Sequence, residues 1–440
     1  MRDAVFYQIF PDRFAHSSKV PKPNGLQPWG SPPTPNGYQG GDLLGVAERL
    51  DVLAELGVNT LIFTPIFQSA SNHRYHTHDY ERVDPMLGGN DALRKLLDQS
   101  HRRGMRVVLD GVFNHSSRGF FPFHDILENG PQSAYLDWFE VHDFPLNAYN
   151  PDERPNYGAW WNQPALPKFK IQTPAVKNYL FEIARKWIDF GIDGWRLDVP
   201  NEIDDDEFWR EFRKTVKRRN RDAYIVGEVW GDAQRWLKGD MWDAVMNYQF
   251  ARACIAYFIA DRLDTALLRR TSLYPPGSYG APAFRDTVLK LLNRYPATVS
   301  ACQLNLLGSH DMARFITLAR GDVSALKLAM MFQMTYPGAP SIYYGDEIGM
   351  VGGHDPENRG AFPWDRAKWD LSLRSEYKRW IALRHARPAL RRGSYLALSA
   401  GDNIRSHLRQ YRDEAVVVVI NAGWNEKRLT LPTHRALIEG

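Results

Sequence analysis

In the run Gly194-Trp195-Arg196-Leu197-Asp198, an arginine and an aspartate stand two positions apart. Alternation along a β-strand puts such positions on one face, so Arg196 can hold Asp198 ionised and aimed, as a nucleophilic carboxylate requires. In Gly227-Glu228-Val229-Trp230 the acid lies beside apolar and aromatic residues. That setting disfavours its charge and raises its pKa, as a proton donor requires. Two such carboxyls about 5 to 5.5 Å apart would support double displacement through a covalent glycosyl-enzyme. Taken singly, each has a plainer reading: Arg196 and Asp198 as an internal ion pair, Glu228 as a strand-end carboxylate bonded to a neighbour. Asp110 through His115 could equally be a strand end and a turn, His310 and Asp311 a loop pair, and His73 a satisfied structural histidine.

A repeating unit over the first half of the chain would bring these residues together: an amphipathic helical stretch, a glycine, a short β-rich run, then polar residues including an acid or amide. The copies are helix 46–56, Gly57 and strand 58–63; helix 91–103, Gly104 and strand 105–112 with Asp110; helix 176–190, Gly191 and strand 193–199 with Asp198; and helix 206–219 with strand 224–229 carrying Glu228. Glycine after the last helical turn is the expected stop, and strands apolar on both faces are what a parallel sheet needs. The alternation predicts an α/β fold whose most economical closure is a (β/α)8 TIM barrel, an open sheet being the other closure the pattern permits. Runs 5–10, 244–247, 304–308 and 341–344 supply the remaining strands. In a barrel, acids at the C-terminal ends of strands face one cavity, and Asp110, Asp198, Glu228 and Asp311 all qualify.

Two regions break the rhythm. Residues 113–173 show no clean helical period and are rich in Pro, Asn and aromatics (Phe120, Phe121, Trp138, Tyr149, Trp160, Trp161), which predicts an inserted lid after the third strand. From about residue 388 the pattern becomes short β-rich runs at 395–398, 404–408, 415–420 and 428–431. The expected domains are a catalytic barrel at 1–112 and 174–387, the insertion at 113–173, and a small C-terminal β-domain at 388–440. The 440 residues carry 55 basic and 51 acidic side chains, close to balance, with no long single-sign run, so nucleic acid is not an expected partner. Two cysteines, Cys254 and Cys302, in apolar stretches predict buried free thiols rather than a disulfide framework. Without a leader-like start or an apolar run of roughly 18 residues, the expectation is a cytoplasmic protein that meets no membrane.

Taken together, the segments resemble the conserved regions of the α-amylase superfamily: Asp110 through His115, Gly194 through Glu202, Gly227 through Trp230, and Leu307 through Asp311. The likeness runs from Tyr7-Gln8-Ile9-Phe10-Pro11-Asp12-Arg13 to Tyr343-Tyr344-Gly345-Asp346-Glu347. Within that superfamily the chain is most similar to the cyclomaltodextrinase, neopullulanase and maltogenic amylase group. The marks are Val199-Pro200-Asn201-Glu202, Leu166-Pro167-Lys168-Phe169, Ser71 through Tyr75, and Gly352 through Arg359. The resemblance implies retaining hydrolysis of α-1,4-glucosidic bonds in maltooligosaccharides, with cyclodextrins and pullulan as further substrates. It makes Asp198 the nucleophile, Glu228 the acid/base, and Asp311 a third carboxylate binding sugar hydroxyls. Arg196, His115, His310 and His73 would line the same subsite, and Asp110 and Asn114 would belong to the substrate-binding set, Asn114 supporting the loop. Tyr75 would stack beneath the glucose ring, Asp355 and Arg359 would hold its far edge, and Trp230 would touch the leaving-group side.

Three features depart from that group. The barrel begins at residue 5, where relatives usually carry an N-terminal β-domain that builds a dimer, so that mode of dimerisation is not expected and the oligomeric state stays open. The stretch 16–24, calcium-binding in many relatives, offers few hard oxygen ligands; Asp42 alone cannot make the site, so no metal or other cofactor is expected. The C-terminal part is short. A transglycosylase or sugar-isomerising relative would use the same triad, whereas a non-catalytic sugar-binding barrel would have lost carboxylates that are all present here.

Overall fold

A computed structural model describes residues 1–431 except 151, 269–272, 276 and 402. In chain order the strands are β1 (Phe6–Ile9), β2 (Thr60–Phe63), β3 (Phe67–Ser69), β4 (Thr77–Val83), β5 (Arg106–Gly111), β6 (Gly194–Leu197), β7 (Tyr224–Gly227), β8 (Ala244–Val245), β9 (Leu304–Leu306), β10 (Ala339–Tyr343), β11 (Ser394–Gly401), β12 (Ile404–Tyr411) and β13 (Glu414–Asn421). Eight of them form one parallel sheet in the order β8-β7-β6-β5-β2-β1-β10-β9. A parallel bridge from Met246 to Leu304 links the two edge strands, so the sheet closes on itself. The barrel is therefore the closure adopted, and the open sheet is not.

Helices wrap it, several of them through one apolar face. Pro174–Phe190 buries Val176, Leu180, Ile183, Ala184, Trp187 and Ile188, and stops at Gly191, whose φ of 115° only glycine adopts without strain. Asp206–Arg219 is capped by Asp205, which accepts from the Phe208 N–H; Asp206 and Glu207 open it and Lys217, Arg218 and Arg219 close it, matching its dipole. The close approach of β6 to β7 also requires glycine: a Cβ at Gly194 would stand 2.3 Å from the Tyr224 carbonyl oxygen.

The hairpin β3–β4 rises above the barrel and is anchored from beneath by Trp187. That side chain is fully buried and donates from its indole nitrogen to the Tyr80 carbonyl at 2.8 Å. Truncating an aromatic so placed costs about 3–5 kcal/mol. The anchor fixes the loop 70–76 over the barrel mouth.

Expected and observed elements differ in places. The stretch 46–56 is two helices, Leu43–Ala47 and Leu50–Leu56, because Asp42 caps the first early and Arg49 leaves helical geometry (φ −111°, ψ 3°). Within 113–173 a helix does form at Phe121–Asn129, started by Pro122 at its first turn and held by buried Phe123 and Ile126. Toward the C-terminus, β11, β12 and β13 make a three-stranded antiparallel sheet. The fourth expected run, 428–431, forms no strand, and residues 432–440 lie outside the described residues.

Candidate active site

The C-terminal ends of the barrel strands converge on a cavity of about 460 Å³, a size suited to a small-molecule ligand. Strand β6 and the residue just past it supply Arg196 and Asp198, and the residue after β7 supplies Glu228. The segment following β9 brings His310 and Asp311, and the loop after β10 brings Asp355 and Arg359. The β3–β4 loop adds His73 and Tyr75, the insertion adds His115, and Trp230 completes the wall. Asp110 and Asn114, expected to bind substrate, do not line the cavity but stand behind its wall. Asp110 bonds Arg196 and the Tyr75 hydroxyl, and Asn114 directs its amide nitrogen at Nδ1 of His115, 3.1 Å away.

Arg196 is the electrostatic centre. Its Nη1 reaches Oδ1 and Oδ2 of Asp110 at 2.9 and 2.8 Å and Oδ1 of Asp198 at 2.9 Å, while Nη2 lies 2.8 Å from Oε2 of Glu228. All four side chains are buried. The expectation that Arg196 simply holds Asp198 ionised needs correction, because one guanidinium serves three carboxyls. Burial pushes Asp198 well up; Arg196 opposes this, while Glu228 and Asp110 add to it. Burial likewise pushes Asp110 up to about 7 against the pull of Arg196.

Glu228 also differs from expectation. Its setting is polar as well as aromatic: Oε1 accepts from the Trp230 indole N–H at 3.1 Å and Oε2 from the Val199 N–H at 3.2 Å. Val199 sits at φ 33°, a left-handed conformation rare for a β-branched residue. Strain of this kind persists where surroundings over-determine it, here in aiming an N–H at the acid.

Three histidines named by the motifs border the cavity. Burial lowers the pKa of His73 and His310 well below the ordinary value and that of His115 to about 3, so all are neutral imidazoles. In each, Nδ1 accepts: from the Tyr75 N–H at 3.2 Å in His73, from the Asn114 amide in His115, and from the Gln8 amide at 3.3 Å in His310. That fixes the tautomer with the proton on Nε2. The Nε2 of His115 is buried without a protein partner, and that of His310 lies 2.6 Å from the Tyr75 hydroxyl, which donates to Oδ2 of Asp110 at 3.0 Å. Asp311 accepts from the Tyr248 hydroxyl at 3.2 Å and lies 3.8 Å from Arg359; burial raises its pKa.

The wall also contains residues that the motifs left out, notably His76, Trp160, Trp161, Gln163 and Tyr274. Trp160 and Trp161 were visible only as aromatics in an irregular stretch, and which of those aromatics reaches the cavity depends on how the insertion folds. Elsewhere, the oxygens of Asp42 are taken up by the Ser17 and Gly45 N–H groups at 2.9 and 2.7 Å and by Lys22 Nζ at 3.0 Å. Among the described residues, no group of three His, Cys, Asp or Glu could hold a metal ion, and no helix is long and apolar enough to cross a membrane.

The family model for the α-amylase catalytic domain matches residues 8–387. A cyclomaltodextrinase of Bacillus sp. is 47% identical over 425 residues, 96% of this chain and 73% of that protein. A debranching enzyme of Nostoc punctiforme, soaked with acarbose, superposes with a TM-score of 0.88 at 48% identity, covering 96% of this chain and 89% of that one. The cyclic α-maltosyl-(1→6)-maltose hydrolase of Arthrobacter globiformis gives a TM-score of 0.89 at 40% identity, covering 96% and 90%. With that match along most of its length, the chain belongs to the α-amylase family of glycoside hydrolases.

Proposed function

We propose that this protein hydrolyses α-1,4-glucosidic bonds in maltooligosaccharides, cyclodextrins and pullulan with net retention, through a covalent glycosyl-enzyme on Asp198. The observation that carries the reading is the single guanidinium of Arg196 between the carboxyls of Asp198 and Glu228, at the base of one cavity. An Asp198 oxygen attacks the anomeric carbon as the C–O bond breaks, and Glu228 gives a proton to the departing oxygen. Glu228 then takes a proton from water, whose oxygen displaces Asp198 from the same carbon.

The remaining groups recognise the sugar. His73 and His115, the latter with an Nε2–H that has no protein partner, donate to hydroxyls, while the Nε2–H of His310 holds the Tyr75 hydroxyl; Asp311 accepts from the sugar, and the Tyr75 ring offers its face to the apolar side of a pyranose. Asp355 and Arg359 hold the far edge, and Trp230 contacts the leaving group. Residues 113–173 act as the lid, 1–112 with 174–387 as the catalytic barrel, and 388–440 as an accessory β-domain. No calcium is required at 16–24, a reading supported by Lys22, whose ammonium already faces Asp42. Two unpaired thiols favour a reducing, cytoplasmic setting.

Product analysis on maltotriose, β-cyclodextrin, pullulan and starch, with and without chelator, tests this reading. Short maltooligosaccharides should form from at least the first two, at rates the chelator leaves intact. Inertness toward all four contradicts it.

A further inference from the structure

Asn358 belongs to the loop after β10, one residue before Arg359, and its side chain is wholly buried behind the cavity wall. Its amide nitrogen donates to the carbonyls of His310 and Met312 at 2.8 and 2.9 Å and reaches that of Ser309 at 3.4 Å. Three carbonyl oxygens on one side settle which end of the amide faces them, because the NH2 can donate and the oxygen cannot. The two hydrogens of one nitrogen thus engage the two carbonyls that bracket Asp311.

The segment carrying Asp311 does little to hold itself. Residues 307–314 form neither strand nor helix, so their buried carbonyls must find partners elsewhere. The internal bonds are long: the Asp311 N–H meets Ser309 Oγ at 3.2 Å and the Met312 N–H meets the Ser309 carbonyl at 3.3 Å. Support comes from the loop 352–359 instead. Besides Asn358, Nε of Arg359 donates to the His310 carbonyl at 3.0 Å, and the Arg314 N–H donates to the Gly352 carbonyl at 3.0 Å. The Asp311 side chain has looser ties, to the Tyr248 hydroxyl at 3.2 Å, Nε2 of His310 at 3.5 Å and Arg359 at 3.8 Å. Its carboxyl therefore stands where the backbone puts it, and Asn358 grips that backbone on both sides.

Resting on the reading of Asp311 as the third carboxylate, which binds sugar hydroxyls, we infer that Asn358 is a positioning residue for it. By clamping the carbonyls of His310 and Met312, the buried amide aims Asp311 at the sugar. It also keeps Asp311 in register with Asp355 and Arg359, which the same loop presents to the cavity. A buried asparagine that merely satisfied loose carbonyls would matter to stability alone. Here the carbonyls flank a side chain that touches substrate, so a shift of about 1 Å in that turn is felt in turnover.

The test is a double-mutant cycle on kcat/KM with maltotriose, using wild type, Asn358→Ala, Asp311→Asn and the double variant. Asn358→Ala should lose about 10²-fold in the wild-type background, the cost of displacing a working group by about 1 Å. In the Asp311→Asn background the same substitution should cost less than about threefold, since the group it acts through no longer works. Near-UV circular dichroism checks that each variant keeps its fold. Where the alanine variant does not fold, Asn358→Asp takes its place in the cycle, because it keeps the size of the side chain and offers at most one hydrogen to the two carbonyls. A folded Asn358 variant within about threefold of wild type, or a loss of equal size in both backgrounds, overturns the inference. Failure of the underlying reading has a separate signature: Asp311→Asn cleaving maltotriose at the wild-type rate, or wild-type protein inert toward it.

Discussion

Asp110 and Arg196 meet on a single nitrogen, with Nη1 of the arginine 2.9 Å from one aspartate oxygen and 2.8 Å from the other. Asp110 stands behind the cavity wall, so its effect is to aim the guanidinium that also bonds Asp198 and neighbours Glu228. Asp110→Asn should therefore lower kcat on maltotriose by about 10²-fold, the usual cost of misplacing reacting groups by about 1 Å, with a much smaller change in KM. A change confined to KM would show that Asp110 acts on ground-state binding instead.

Replacing Glu228 with Gln separates its two duties. Maltotriose needs a protonated leaving oxygen and should lose about 10²–10⁴-fold in kcat, the range for general acid catalysis. α-Maltosyl fluoride needs no such proton, so its first step should lose far less, and a glycosyl-enzyme should accumulate by mass spectrometry. Added azide, which attacks without base assistance, should raise the variant's turnover of the fluoride. Equal losses on both substrates, with no azide effect, would deny Glu228 the proton-transfer role.

Stability should respond to pH through carboxyls outside the cavity wall as well. Glu347 accepts from the Tyr7 hydroxyl and the Gly345 N–H, both at 3.0 Å, and burial pushes it from 4.5 up to about 7. Between those values the folded state keeps a proton that the unfolded state has released, so this group's contribution to stability declines as pH rises toward 7 and levels off above it. Asp346, pushed up to about 6, acts in the same direction. Melting temperatures from about pH 5 to 8 should fall less steeply with rising pH in Glu347→Gln than in wild type. Parallel profiles would mean that the glutamate is ionised in the folded protein.

Much of this was legible because local rules and tertiary packing agree. Gly57 and Gly191 close helices with left-handed backbones, and the motif acids fall at or just beyond strand ends. What stayed hidden were elements without a periodic signature. Val323–Thr335 is buried on most of its faces, so its sequence carries no stripe, and the π-helical turn Ile255–Ile259 is apolar throughout. The β3–β4 hairpin escaped because its strands mix polar and apolar residues and carry register irregularities. At the site, the motifs named the residues but not their sharing of Arg196. Three carboxyls on one cation is a property of β5, β6 and β7 lying side by side, which no single segment encodes.

The stereochemistry of the first product tests the nucleophile most directly. Proton NMR of wild-type protein on maltotriose, read before mutarotation, should show the α-anomer of the new reducing end first. Asp198→Asn should lose about 10⁴-fold or more in kcat while keeping its fold. A β-anomer appearing first, or an Asp198→Asn variant as fast as wild type, would contradict the covalent route through Asp198.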